Sequence, residues 1–151
     1  MRKSAGILLY RLHTGSPEFF LVHPGGPFWK SKDAGAWSIP KGEFTDDEEP
    51  LAAAQREFTE ETGKAVGGPF RSLTPVRLKS GKSVQAWAAE GDIDAASIVS
   101  NTFQLEWPPR SGRWLSVPEV DRAGWFRLDE ARVKINPSQA AFIDELITLL
   151  T

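Results

Sequence analysis

Three glutamates, Glu57, Glu60 and Glu61, fall within five consecutive residues of a predicted helix. Spacings of three and four residues place side chains on one face of a helix within about one turn. Carboxylates crowded in this way repel each other by roughly 0.2–0.5 kcal/mol per pair unless a positive charge lies among them. Oxygen ligands suit hard cations such as Mg2+ or Mn2+, which commonly bridge protein carboxylates and substrate phosphates. The spacing therefore predicts either a divalent-metal site or a solvated acidic face.

The residues around these acids favour the metal site. Gly42, Glu48, Arg56, Phe58 and Gly63 stand at fixed distances from the three acids. Together they follow the pattern G-x5-E-x7-R-E-U-x-E-E-x-G-U, in which U is a bulky apolar residue. With each polar or glycine type at roughly 5–7% usage, a chance match at one start point is on the order of 10⁻⁸. An accidental acidic face is therefore disfavoured.

Residues 42–64 resemble the Nudix box, the sequence signature of the Nudix hydrolase superfamily. The resemblance implies an α+β fold, namely a Nudix-type α/β/α sandwich with a mixed β-sheet and a catalytic loop-helix-loop. It also implies hydrolysis, dependent on Mg2+ or Mn2+, of a pyrophosphate bond in a nucleoside diphosphate linked to another moiety. The last position of the box is normally aliphatic and is Lys64 here. This departure puts only local packing in question, because the acids are intact.

The resemblance further implies roles for individual residues. Glu57, Glu60 and Glu61 would bind metal, and the carbonyl of Gly42 would add a ligand. Arg56 would pair with Glu48 or orient Glu57, as a guanidinium can hold a carboxylate by two parallel hydrogen bonds.

Members of the family often use another acid from a loop before a late aromatic strand. Glu119, six residues ahead of Trp125, is the first candidate here and Glu106 the second. Either Glu57 or this loop acid could hydrogen-bond the attacking water, so the identity of the general base stays open.

Several residues outside the box are candidates for substrate binding. Lys41 precedes the turn into the box and could contact a phosphate oxygen or the acid cluster. Aromatic residues beside Gly/Pro-rich loops could stack on a nucleobase or simply pack in those loops: Trp29, Trp37, Trp107 and Phe28. Further cations could contact phosphates: Lys30, Lys32, Arg110 and Arg113.

Segments outside the box look like a bacterial group described as predicted NTP pyrophosphohydrolases: residues 4–7, 23–27 and 135–137. The tyrosine expected downstream of the box in typical diadenosine polyphosphate hydrolases is missing, because Tyr10 is the single tyrosine. An NTP or a dinucleoside polyphosphate is nevertheless the first substrate to expect. The alternative is a non-catalytic Nudix-fold module that binds or senses a nucleotide; such a module would be expected to lose box acids, and none is lost here.

Length and composition narrow the remaining classes. A chain of 151 residues fits one Nudix domain, residues 1–151. The net charge of -2 gives no general attraction for nucleic acid or an anionic membrane, so the expected partner is a small nucleotide. The absence of cysteine excludes a thiol nucleophile and is compatible with a cytoplasmic location. A homodimer is left open.

The elements that must position these residues can also be predicted. Residues 4–12 and 18–23 form a strand pair, and residues 23–35 form a structured loop. Residues 36–39 form a short strand. The acidic helix covers about residues 49–62, capped by Asp46 or Asp47 and stopped by Gly63.

The rest of the chain is expected to alternate strands and helices irregularly. Strands are predicted over residues 70–78, 83–93 and 124–128, and residues 92–100 read as a turn or a short helix. A last helix begins at Asn136 and Pro137. Its buried face comprises Phe142, Ile143, Leu146, Ile147 and Leu150.

Overall fold

The computed structural model describes residues 2–151, whose main sheet has seven strands. These are β1 (Lys3–His13), β2 (Ser16–Pro24), β3 (Lys41–Phe44), β4 (Arg71–Ser72), β5 (Val76–Arg77), β6 (Ser83–Glu90) and β9 (Val120–Arg127). Strand β1 pairs parallel with β6 and antiparallel with β2 and β3, so the sheet is mixed as predicted. A separate hairpin consists of β7 (Thr102–Glu106) and β8 (Trp114–Pro118).

Helices cover both faces of this sheet: α1 (Pro50–Thr62), α2 (Leu128–Lys134) and α3 (Ala140–Leu150). Side chains alternate along β1, as they do in any strand buried on both faces. Ile7 and Leu9 pack in one cluster with Phe58 of α1, whereas Leu8 packs in another with Phe142 of α3. The predicted α/β/α sandwich is therefore confirmed.

The start of α1 differs from the prediction. Glu49, rather than Asp46 or Asp47, caps the helix, and its carboxylate accepts hydrogen bonds from the backbone N–H groups of Leu51 and Ala52 at 3.2 and 2.9 Å. Pro50 explains this difference, because it occupies the first helical position and leaves the cap to the residue before it. The helix ends as predicted at Gly63, whose φ of 73° is left-handed.

Several strand boundaries in the structure also differ from the predicted ones. The strand predicted over residues 70–78 is interrupted between β4 and β5, where Pro75 has no N–H to donate. Residues 36–39 form only isolated bridges, between Ser38 and Val22 and between Trp37 and Ile135. Strand β6 stops at Glu90, and β9 begins at Val120. The β7–β8 hairpin and α2 had no counterpart in the sequence prediction.

Two smaller predictions concern turns. Residues 95–97 form a short 3-10 helix, which resolves the ambiguous region in favour of a short helix. Asn136 caps another short 3-10 turn that leads into α3, and Phe142, Ile143 and Leu146 form the buried face of that helix. Within residues 2–151, none of the helices is both long and apolar enough to cross a membrane.

Candidate active site

The buried acids of α1 face strand β3. Glu57 and Glu61 stand one turn apart, and only 7% and 9% of their surfaces are exposed. Gly42 of β3 lies directly against Glu57, since a Cβ atom added at Gly42 would overlap the Glu57 carboxyl group. A side chain at position 42 would therefore push this carboxylate out of place.

A third acid joins them from a later part of the chain. Glu119, in the connection between β8 and β9, offers a carboxylate oxygen that lies with oxygens of Glu57 and Glu61 within 4.8 Å of one another. The atoms available to a metal are all oxygens. Three ionised carboxylates at this distance repel each other unless a positive charge lies among them. Such a set fits a hard divalent cation such as Mg2+ or Mn2+.

Arg56 contacts one acid of this cluster and two acids beside it. Its Nε and one Nη donate to the two carboxylate oxygens of Glu48 at 2.7 and 2.9 Å. Its other Nη donates to Glu57 at 2.9 Å and to both oxygens of Glu60 at 3.1 Å. These contacts, led by the one to Glu48, raise the pKa of Arg56 above its usual range. The guanidinium is therefore a permanent positive charge that orients three carboxylates.

The cluster binds protons more tightly than ordinary carboxylates do. Burial raises the pKa of Glu61 to about 8, and Glu119 and Glu57 add to the effect while Lys41 opposes it. Burial, followed by repulsion from Glu60, also raises the pKa values of Glu57 and Glu119. Each of these three carboxyl groups thus favours its protonated form more than an ordinary carboxyl group does.

Lys41 lies beside the cluster. Its backbone N–H donates to Glu61 at 3.3 Å, and its buried ammonium has a lowered pKa, chiefly because of burial and then because of Lys82. A cavity of about 110 Å³ opens here, which is room for a few water molecules or a small anionic group. It is lined by Val22, Pro24, Ser38, Ile39, Lys41, Glu61, Glu119 and Val120.

The aromatic candidates in the loop before β3 differ from one another in exposure. Trp37 is only 5% exposed and packs edge-on against Phe126, and its Nε1 donates to Asp33 at 2.7 Å. This position contradicts the predicted stacking role, because no face of the ring is free. Trp29 is half-buried against the core, whereas its neighbour Phe28 is 55% exposed.

The remaining cationic candidates are exposed and are not among the residues that line the cavity. Lys32 holds its Nζ 4.7 Å from the centre of the Phe28 ring. Arg110 sits in the turn of the β7–β8 hairpin, at the opposite end from Glu119. Glu106 accepts hydrogen bonds from the N–H groups of Arg110 and Gly112 at 3.3 and 3.0 Å. Glu106 therefore holds this turn together, which argues against it as the general base.

Sequence reasoning missed two residues that support the site. His23 is fully buried, with its Nε2 at 2.7 Å from the carbonyl oxygen of Lys32 and its Nδ1 at 2.9 Å from Asp121. Asn101 lies between α1 and Glu119, with backbone hydrogen bonds to both. Their partners are distant in the sequence, and no local spacing indicates such contacts.

Comparisons with known proteins bear on the family and the fold of this chain. A family model described as the NUDIX domain matches residues 1–146. Among solved structures, an Ap4A hydrolase from C. elegans in a binary complex is 21% identical, with 97% of each chain covered and a TM-score of 0.66. The NUDIX domain of NrtR from Shewanella oneidensis, complexed with ADP ribose, is 18% identical; 99% of this chain and 88% of that one are covered, with a TM-score of 0.66.

A third similar structure comes from work on MutT of Aliivibrio salmonicida and Vibrio cholerae. It is 14% identical, with 97% of this chain and 96% of that chain covered and a TM-score of 0.59. The search of curated proteins found no match. At these identities, the solved structures show a shared fold, and the family model shows the family.

Proposed function

Because the chain belongs to the NUDIX family and is a Nudix hydrolase, we propose that it cleaves a pyrophosphate bond in a nucleoside diphosphate linked to another moiety. The first candidate substrates are an NTP and a dinucleoside polyphosphate. The observation that carries this proposal is the convergence of Glu57, Glu61 and Glu119 within 4.8 Å. An exposed decorative helix would not bury two of its acids against a third from a different element.

The cofactor of this reaction is Mg2+ or Mn2+. Glu57 and Glu61, whose carboxylate oxygens cluster with that of Glu119, would hold it. Glu60 and the carbonyl of Gly42 are proposed as further ligands. When bound, the cation neutralises charge on the phosphate oxygens and makes a nearby water more acidic. Arg56 supports this function by keeping Glu57 and Glu60 in fixed orientations.

Glu119 is the better of the two candidates for the general base. Glu57 is 7% exposed and already accepts a hydrogen bond from Arg56, whereas Glu119 is half-buried and lines the cavity. The pKa values of both carboxylates are raised, which makes each a stronger base than an ordinary carboxylate, so the choice between them rests on exposure to the cavity. Glu119 would take a proton from the water while the oxygen of that water forms a bond to phosphorus. The bond between this phosphorus and the bridging oxygen breaks, and the bridging oxygen leaves with the departing phosphate group.

Lys41 is the proposed phosphate contact, because it lines the same cavity as Glu61 and Glu119. Trp29, together with the exposed ring of Phe28, is the proposed contact for the nucleobase of the substrate. Lys32 and Arg110 would serve the distal parts of a long substrate. We propose that the protein acts in the cytoplasm, with which its cysteine-free composition is compatible.

Two of the similar structures indicate which substrates to test. One is an Ap4A hydrolase and the other was solved with ADP ribose. A panel should therefore contain NTPs, diadenosine polyphosphates, ADP-ribose, NADH and nucleotide sugars, each with Mg2+. The phosphomonoester or pyrophosphate products are measured, by a phosphatase- or pyrophosphatase-coupled phosphate assay, for the wild type, Glu60→Gln and Glu61→Gln. The exposed Glu130 of α2 provides a matched control, Glu130→Gln.

The proposal predicts turnover of at least one substrate by the wild type and by Glu130→Gln, with strong loss in both cluster variants. Binding of a nucleotide without turnover by the wild type would instead favour the sensor module. Equal rates in Glu61→Gln and the wild type would overturn the assignment of the site.

A further inference from the structure

Residues 26–32, here called the aromatic loop, are joined to the rest of the fold by a single hydrogen bond among the described residues. Backbone bonds at 3.2 and 2.9 Å close two turns inside this loop, from Trp29 to Gly26 and from Lys32 to Trp29. The bond that leaves the loop connects Nε2 of His23 with the carbonyl oxygen of Lys32 at 2.7 Å. His23 therefore carries the polar attachment of the aromatic loop, and the packing of Trp29 against the core is its apolar counterpart.

The other ring nitrogen of His23 faces the strand that follows Glu119. Nδ1 lies 2.9 Å from Oδ1 of Asp121, and the ring is fully buried, whereas the Asp121 side chain is 28% exposed. The pairing of β2 with β9 shifts between His23 and Pro24, which leaves Asp121 as an extra residue on β9. Because a bulge of this kind redirects side chains, it accounts for the approach of Asp121 to the ring.

The residue just before the aromatic loop is attached to Glu119 itself. The N–H of Gly25 donates to the carbonyl of Glu119 at 3.0 Å. A Cβ atom added at Gly25 would lie 2.1 Å from the carbonyl oxygen of Pro118. Glycine at this position is what allows the two segments to approach so closely. The start of the loop and the segment of Glu119 are therefore in direct contact.

The pair of His23 and Asp121 adjoins the cavity of the acid cluster. Pro24, the residue after His23, and Val120, the residue before Asp121, both line this cavity together with Glu119. The ring thus lies between the segment that carries the proposed general base and the loop that carries the proposed nucleobase contacts. Loss of its contacts would release the loop from that segment.

We propose that His23 is a positioning residue that holds the aromatic loop at a fixed distance from the Glu119 segment, with Asp121 keeping the ring in place. A nucleotide that reaches from the acid cluster to the aromatic loop then finds both ends of its site already aligned. The effect on substrate binding rests on the proposed function, whereas the effect on the loop itself does not. His23 acts on the substrate through the loop, so it is not a catalytic residue.

Asp121→Ala is the main test, because Asp121 makes no hydrogen bond with the aromatic loop within the described chain. Hydrogen–deuterium exchange of residues 26–32 is measured for the wild type, Asp121→Ala, His23→Leu and the double variant. We expect exchange about tenfold faster in each single variant, since fewer contacts favour local opening. The double variant should be no faster than His23→Leu, because residues that act through one another are not additive.

Two comparisons separate a local effect from a general loss of stability. Strand β1 lies at the centre of the sheet, so the exchange of its residues 4–9 serves as an internal reference and should match the wild type. The exposed His13 and Asp129 provide the controls His13→Leu and Asp129→Ala, which should leave the aromatic loop unchanged. Equal acceleration in β1 and in the loop would overturn the proposal.

Steady-state kinetics with the best substrate of the panel test the consequence for binding. Asp121→Ala should raise KM about tenfold and leave kcat almost unchanged, because contacts made equally in the ground state and the transition state affect KM alone. His23→Gln keeps an amide N–H that can donate to the Lys32 carbonyl. It should therefore raise KM less than His23→Leu does.

Unchanged exchange of the aromatic loop in a folded Asp121→Ala protein would overturn the proposal, as would additive effects in the double variant. A faster loop with an unchanged KM would refute its link to substrate binding. If the wild type hydrolyses no substrate, the proposed function fails. The exchange measurements would still decide the role of His23, because they do not depend on turnover.

Discussion

Arg56 holds Glu48 through two parallel hydrogen bonds, at 2.7 and 2.9 Å, so that the loop before α1 is tied to the acid face of the helix. The same guanidinium also contacts Glu57 at 2.9 Å. A planar fork can satisfy both partners at once, whereas a lysine ammonium is a single point donor.

Arg56→Lys should therefore lower kcat by about 100-fold, because Glu57 loses its fixed orientation while the positive charge is kept. Steady-state kinetics test this expectation. Arg132→Lys, in the exposed ion pair with Asp144, is the control and should behave as the wild type. An Arg56→Lys enzyme with wild-type kcat would show that two-point contact is not needed.

Gly42 should not tolerate even a methyl group. Gly42→Ala would displace the Glu57 carboxyl that occupies the position of the new Cβ. We expect activity to fall at least about 100-fold and the protein to remain folded, since overpacking typically costs only about 1–3 kcal/mol. Activity and circular dichroism are compared with those of Gly67→Ala, where a Cβ meets nothing within 4 Å. Full activity in Gly42→Ala would exclude the close approach.

The stability of the metal-free protein should depend on the titration of Glu61. Its folded pKa of about 8 exceeds the ordinary value of 4.5, so the folded state retains a proton that the unfolded chain releases. The corresponding stabilisation is complete below pH 4.5 and is lost as the pH rises through about 8.

Unfolding midpoints in EDTA should therefore fall more between pH 6 and pH 8.5 for the wild type than for Glu61→Gln, which resembles the protonated acid. Mg2+ should restore more stability at the higher pH, since the cation competes with the proton. Parallel pH curves for the two proteins would argue against a titrating Glu61.

His23 should be important for stability. His23→Leu removes the ring nitrogens that face the Lys32 carbonyl and Asp121, and we expect a loss of about 1–3 kcal/mol in the free energy of unfolding. Urea denaturation measures it. The other histidine, His13, is exposed near the β1–β2 turn, and His13→Leu should change stability little. Equal effects of the two substitutions would rule out a special role for the buried ring.

Local chemistry made some features predictable. Gly63 ends α1 because it readily adopts a positive φ, and the spacing of Glu57 and Glu61 places both on one face. The cap at Glu49 differs from the predicted Asp46 or Asp47, because Asp is the commoner cap type, whereas Pro50 at the first helical position leaves the cap to the residue before it.

Long-range contacts were harder to predict. Glu119 was expected near the acids only because of a family resemblance, and nothing in its own neighbourhood indicates that contact. The bridge through Asn101 depends on a hairpin that the sequence prediction lacked altogether. The position of Trp37 beside a glycine-rich loop predicted a ligand contact. In the structure its indole N–H donates to Asp33 and its ring is buried in the core. Burial of such a residue is decided by tertiary packing rather than by its neighbours in the chain.

The most direct test of the account is the rate of pyrophosphate-bond cleavage by Glu57→Gln across a Mg2+ titration, with the best substrate of the panel. The variant keeps the size of the side chain and removes one charge from the acid cluster. We predict a loss of at least about 100-fold at saturating Mg2+, with Glu130→Gln at the wild-type rate. A Glu57→Gln enzyme that reaches the wild-type rate at the same Mg2+ concentration would contradict the assignment of the acid cluster as the active site.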